Sequence, residues 1–220
     1  MDFSRIKEAE YFFSKAHIHE LNRGVENTPD LKRKRLSTLS ELCGENYLDQ
    51  DLKGQSVGHT CKSAEIIYDE CEPYRVCTEL LELKVSKYNP NRDKIIEELE
   101  IIKIEVGNIE PSKIFNFLES KLMESPNCFG VDDFLRRSEA FTLKTKYSTL
   151  FNLLDSVFYW KDEQHINRLY DSAHASCAQY CDILVTNDRR MAIKAKAIYS
   201  CFEVKTKVKS SEEYQSLFSM

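Results

Sequence analysis

Two acids, Asp171 and Asp188, have the type and placement that chemistry needs. They stand in the run Asp171-Ser-Ala-His174-Ala175-Ser-Cys177-Ala178-Gln-Tyr-Cys181-Asp182-Ile183-Leu184-Val185-Thr186-Asn187-Asp188. The run reads as a helix with an acid near its start, a short apolar strand, and a second acid just past the strand. Carboxylates gathered at one edge of a sheet are what a divalent-metal site requires, because hard oxygen donors suit Mg²⁺ and Mn²⁺.

The elements that would position these acids follow from spacing. Residues 171, 174, 175 and 178 share a helix face. That face carries Asp171, His174, Ala175 and Ala178, and its two alanines let the helix lie close against a neighbouring layer. Ile183, Leu184 and Val185 suit a buried strand of a parallel sheet. Thr186-Asn187-Asp188 then opens a helix that continues through Met191, Ala195 and Ile198. Ligands of open α/β sheets bind beyond the carboxyl ends of strands, where Asp188 falls. A plainer account exists for each acid alone: Asp188 suits an N-cap, and an acid early in a helix is favoured by the dipole.

The rest of the chain bounds the answer. Its 220 residues are 42% hydrophobic and 30% charged, enough for a sizeable core, in one large domain or two small ones. No apolar run approaches the ~18 residues of a membrane span. The N-terminus lacks the apolar stretch of a secretion signal, so the sequence-based expectation is a cytoplasmic location. Eight cysteines form no Cys-x-x-Cys pair and no finger-like spacing with histidine, which points to reduced thiols, many of them buried. A net charge of −5 argues against a protein that coats nucleic acid, while leaving room for an enzyme with a local basic patch. Lys32-Arg33-Lys34-Arg35 is the dense basic run. It lies among Leu31, Leu36, Leu39 and Leu42 at helical spacing, so it reads as a solvated helix face or a phosphate contact.

Six glycines and five prolines imply long helices with few interruptions. Periodicity predicts them over 14–24, 28–43, 60–87, 91–106, 111–124, 131–160 and 163–181. Strands are expected over 9–13, 183–186 and 202–208, with 49–59 a mobile loop. Phe151, Leu154 and Phe158 form a helix stripe that core packing explains better than base stacking.

These motifs resemble the PIN-like family of metal-dependent nucleases. The later-helix acid of that family matches Asp171, within Asp171-Ser-Ala-His174-Ala175, and its last acid matches Asp188, within Val185-Thr186-Asn187-Asp188. The early-helix acid matches Glu20, within Ser14-Lys-Ala-His17-Ile-His19-Glu20. The resemblance covers about residues 8–24 and 165–215. It implies an α/β fold, a small parallel sheet flanked by helices, formed by residues 1–27 and 161–220 and interrupted by an all-helical insertion over 28–160. The family's first strand, with its own Asp, belongs before residue 9, and Asp2 stands too early to serve. A start downstream of the true one is the favoured reading, beside a strand donated by a partner chain and an inactive relative.

The resemblance further implies a metal-dependent endoribonuclease that hydrolyses phosphodiesters in single-stranded RNA. Glu20, Asp171 and Asp188 would hold one or two Mg²⁺ or Mn²⁺ ions, with no Ser or His nucleophile. Thr186 and Asn187 would orient a water or a carboxylate, and His174 would touch substrate or pack against the sheet. Such a protein would serve as a toxin, an antiviral effector or an RNA-processing factor. An inhibitory protein partner is expected of a toxin, and self-association stays open. The alternatives are a non-catalytic interaction module on a decayed nuclease fold and a DNA-directed nuclease using the same acids.

Overall fold

The computed structural model describes residues 9–21, 28–50, 56–72, 108–124, 142–158 and 167–218. The fold is mixed α/β, helices flanking small sheets, and it divides into two compact units, Met1–Val85 and Ser86–Met220.

In the first unit, strand β1 (Phe13–Ser14) runs directly into helix α1 (Lys15–Leu21). The Ser14 N–H donates to His17 Nδ1 at 3.1 Å, so a histidine takes the reciprocal part that Glu plays in a capping box. Helix α2 (Pro29–Cys43) starts on Thr28, whose hydroxyl accepts the Leu31 N–H, with Pro29 in the first turn where its missing N–H costs nothing. It stops at Gly44, whose φ of 60° is open to a residue without a side chain. Strand β2 (Asn46–Gln50) lies in the middle of a three-stranded sheet. It is parallel to β1, with Phe13 beside Tyr47, and antiparallel to β3 (Val57–Cys61), with Asn46 opposite Cys61. Helix α3 (Ala64–Cys71), capped by Ser63, completes the unit. Its core gathers Phe13, Ile18, Cys43, Tyr47, Ala64, Ile67 and Cys71.

In the second unit, a 3₁₀ turn at Pro111–Lys113 leads into α4 (Ile114–Glu124), followed by α5 (Leu143–Phe158) and α6 (Asn167–Ala178). Strand β4 (Ile183–Val185), helix α7 (Arg189–Cys201) and strand β5 (Lys207–Lys209) form a parallel β-α-β unit, with Ile183 beside Lys207 and Val185 beside Lys209. Helix α8 (Ser211–Ser216) opens on a complete capping box, Ser210 with Glu213. Ile114 and Leu118 of α4, Tyr147, Leu150, Phe151 and Leu154 of α5, and Ala195 and Ile198 of α7 make the core. The aromatic stripe of α5 is thus packing material where it is described, at Tyr147 and Phe151.

Several expectations change. Residues 28–160 are not all helical, because β2 and β3 fall within them. The expected loop at 49–59 is largely these two strands; residues 51–55 lie outside the described region. The helix expected over 60–87 is α3 alone among the described residues, and that over 91–106 lies outside them. The strand expected over 9–13 is reduced to Phe13–Ser14, and that over 202–208 to Lys207–Lys209. The sheets are not uniformly parallel, since β2 and β3 run antiparallel. No described helix is long and apolar enough to cross a membrane. Cys43, Cys61, Cys71, Cys177, Cys181 and Cys201 are free thiols, the first, third and fourth buried; Cys77 and Cys128 lie outside the described residues.

Candidate functional site

Helix α6 packs chiefly against α5 and reaches α7 through long side chains of the latter. Ala175 is fully buried, and the Tyr199 hydroxyl of α7 donates to the Ala175 carbonyl at 2.8 Å. At the far end of α6 the Thr206 hydroxyl donates to the carbonyls of Ala178 and Cys181, closing the helix that was expected to run to 181. With α6 and α7 fixed in this way, Asp171 faces Lys194.

Lys194 is 2% exposed. Its Nζ lies 3.2 Å from Asp171 Oδ2 and 3.1 Å from Asp155 Oδ1 of α5. The Phe151 ring lies beneath the ammonium, 5.0 Å away at its centroid, a cation–π contact whose worth grows as water is excluded. The side chains of Asp155 and Asp171 are 14% and 16% exposed. Three charged groups from α5, α6 and α7 therefore meet in a nearly dry place.

Burial pushes the Asp171 carboxyl from its ordinary 3.8 up to about 6. Lys194 opposes that rise through its charge and its hydrogen bond, Asp188 adds to it, and His174 opposes it. The two acids singled out in the sequence thus feel each other's charge. Asp188 itself is exposed at the N-terminus of α7. Its Oδ1 accepts the N–H groups of Arg190 at 2.7 Å and Met191 at 3.0 Å, and its own N–H donates to the Thr186 hydroxyl at 3.1 Å.

The remaining candidates fall as follows. Thr186 holds the backbone of Asp188, and its own N–H donates to the Lys209 carbonyl across the sheet. Asn187 accepts through Oδ1 from both the N–H and the hydroxyl of Ser211 at 2.9 Å, tying the end of β4 to the start of α8. His174 is buried on the same face of α6 as Asp171. Glu20 is exposed on α1 and belongs to the first unit, whereas Asp171 and Asp188 belong to the second.

Sequence reasoning missed Asp155 and Lys194, and a signal for both exists. Residues 191, 194, 195 and 198 share one face of α7, so Lys194 interrupts the apolar stripe Met191-Ala195-Ile198. Asp155 likewise sits beside the stripe Tyr147-Phe151-Leu154. A lysine on one buried stripe and an acid on another are best satisfied by each other.

Whether a divalent ion fits can be judged from the donors. Among the described residues, no three His, Cys, Asp or Glu side chains form a ready-made cage. Mg²⁺ does not need one, since it keeps several waters and is commonly held by one or two carboxylates together with substrate phosphate. Asp171 and Asp188 supply hard oxygens, one largely buried and paired with Lys194, the other exposed at the start of α7.

Beyond β5 lies a cavity of about 440 Å³ lined by Lys196, Tyr199, Ser200, Lys207 and Lys209 among others. Lys207 and Lys209 point to the same side of the strand, and the Glu213 carboxyl is held below its ordinary range by its hydrogen bond from the Ser210 backbone and then by the charges of Lys196 and Lys209.

No protein-family model, no curated protein and no solved structure matches this chain.

Proposed function

We propose that this protein is a Mg²⁺- or Mn²⁺-dependent endoribonuclease that hydrolyses phosphodiester bonds in single-stranded RNA. One observation carries the reading: the helix that Asp188 caps, just past β4, also carries Lys194, which holds Asp171 of α6 at 3.2 Å beside a parallel strand pair. A bound divalent ion supplies a polarised phosphoryl group, an activated water and a stabilised leaving oxygen.

The chain's own residues do the rest. Asp171 and Asp188 would hold the ion, each with one oxygen already engaged, by Lys194 and by the α7 backbone respectively. Thr186 fixes the backbone from which Asp188 projects. The Tyr199 hydroxyl, donating to the Ala175 carbonyl, and Lys194, bonded to Asp171, tie α6 to α7 at the place where Asp171 is held. Lys196, Lys207 and Lys209 supply the positive surface that a phosphate backbone needs on a chain of net charge −5. The single-stranded RNA substrate, and a role as toxin, antiviral effector or processing factor, rest on the family resemblance.

Labelled single-stranded RNA and DNA incubated with Mn²⁺, beside EDTA and Asp188→Asn controls, test the proposal. RNA cleavage lost in both controls is expected. Preference for DNA moves the substrate assignment, and cleavage that survives EDTA refutes the metal reading.

A second reading is favoured by one specific feature. Lys194 already compensates Asp155 and Asp171, as it would in a purely structural ion network, so an interaction module built on a decayed nuclease fold is the competing proposal. It predicts a folded chain that neither binds Mn²⁺ nor cuts RNA.

A further inference from the structure

The cavity beside β5 follows the edge of the strand. Thr206, Lys207, Val208 and Lys209 line one wall, and Lys196, Tyr199 and Ser200 of α7 line the other. Successive side chains of a strand point to opposite faces, so a cavity that meets all four residues runs along the edge. The other edge belongs to β4: the Lys207 N–H donates to the Asp182 carbonyl at 2.9 Å, and the Lys209 carbonyl accepts the Thr186 N–H at 2.9 Å. Val208 therefore turns its own N–H and C=O away from β4. Among the described residues nothing pairs with them, on a residue only 8% exposed. One step further on, the Ser210 N–H is taken by Glu213 at 2.7 Å, so the open edge is short and centred on Val208.

Charge decides the occupant. Residues 189–209 carry seven lysines and arginines against one acid, Glu203, in a chain of net charge −5. A second copy of β5 would set lysine against lysine, which opposes pairing. Phosphate groups meet lysines and an N–H alike but offer no donor to the Val208 carbonyl. A polypeptide brings donor and acceptor in alternation, and acids at every second residue would stand opposite Lys207 and Lys209. We propose that the groove between α7 and the open edge of β5 receives an extended acidic segment of a partner protein, added beside β5 as a further strand. This binding needs neither a metal ion nor nuclease activity. Where RNA follows the same lysines, the segment excludes it.

The probe is a fluorescent seven-residue peptide alternating glutamate and valine, blocked at both ends and titrated into the full-length chain in EDTA. Hydrogen exchange of the Val208 amide reports on the edge. Binding is expected, with slowed exchange at Val208. The same peptide methylated on its backbone nitrogens keeps its charge, loses the ladder and should bind about tenfold more weakly. Lys207→Glu with Lys209→Glu should weaken the glutamate peptide about tenfold and admit a lysine–valine peptide instead. Val208→Pro removes the outward N–H and none of the bonds to β4, so it too should weaken binding. If that variant does not fold, the methylated peptide tests the same point.

Equal binding of the methylated peptide would show a charged surface without strand addition and overturn the proposal. No binding, or a Val208 amide already protected in the free chain, overturns it as well. If a uridine oligomer slows Val208 exchange and the glutamate peptide does not, the cavity is a nucleic-acid site and the strand proposal falls. A chain that binds the peptide but never cuts RNA would keep this site and lose the nuclease reading.

Discussion

Asp171 loses more on burial than Lys194 returns, and its carboxyl therefore rises to about 6. A carboxyl that holds its proton more tightly folded than unfolded adds stability at low pH, fully present below about 3.8 and lost as pH rises through about 6. At pH 7 the ionised, buried group leaves the fold about 3 kcal/mol less stable than that low-pH limit. Urea melts at pH 4, 5, 6 and 7 should show this slope in wild type and a flatter one in Asp171→Asn; parallel slopes would contradict the assignment. The same proton competes with a metal ion. Mn²⁺ affinity should accordingly weaken as pH falls below about 6, by up to tenfold for each pH unit in the limit of one displaced proton.

Ala175 is fully buried on a helix that packs chiefly against α5, and the Tyr199 hydroxyl of α7 meets its carbonyl. Ala175→Leu should overpack this core at a cost of about 1–3 kcal/mol and shift α6 off its Tyr199 contact, and Mn²⁺ affinity should fall with it. A melt that drops while Mn²⁺ affinity holds would show that Asp171 is positioned by its own helix alone. The buried face was legible in the sequence because alanines recur at helical spacing behind Asp171. The acid after β4 was legible as a cap: an Asp between an apolar run and a helix suits the N-cap position that Asp188 takes at α7. Lys194 and Asp155 escaped because stripes were read for their apolar members, and the charged residue on each stripe was the informative one. Strands β2 and β3 escaped for a different reason. Asn46-Tyr47-Leu48-Asp49-Gln50 and Val57-Gly58-His59-Thr60-Cys61 have weak strand preference of their own, and β2 exists because β1 and β3 pair with it on either side.

Across the molecule, the second unit has a core distinct from that of the first. A fragment spanning 86–220 should therefore melt cooperatively by circular dichroism and retain Mn²⁺ binding. A folded fragment without Mn²⁺ affinity would show that the carboxylates of the second unit are insufficient by themselves. The lysine-lined cavity belongs to this unit too, and it stands against a net charge of −5. With about three phosphate contacts, single-stranded RNA affinity should fall with salt at a logarithmic slope of about −2. Lys207→Glu with Lys209→Glu should weaken binding about tenfold and make that slope shallower, with Mn²⁺ affinity unchanged. Equal RNA affinity in wild type and double variant would move the RNA path away from this cavity.

Under the proposed function Asp188 divides its labour between a cap and an ion, and that has a genetic meaning. Oδ1 holds the Arg190 and Met191 N–H groups at the start of α7. Asparagine caps a helix about as well as aspartate, whereas alanine costs about 1 kcal/mol. Asp188→Asn should then behave as a separation-of-function allele, giving normal abundance and melting temperature with no metal-dependent phenotype. Asp188→Ala should confound the two by lowering both. Comparing the alleles in cells would reveal whether loss of the carboxylate charge, with the fold intact, is enough to silence the protein.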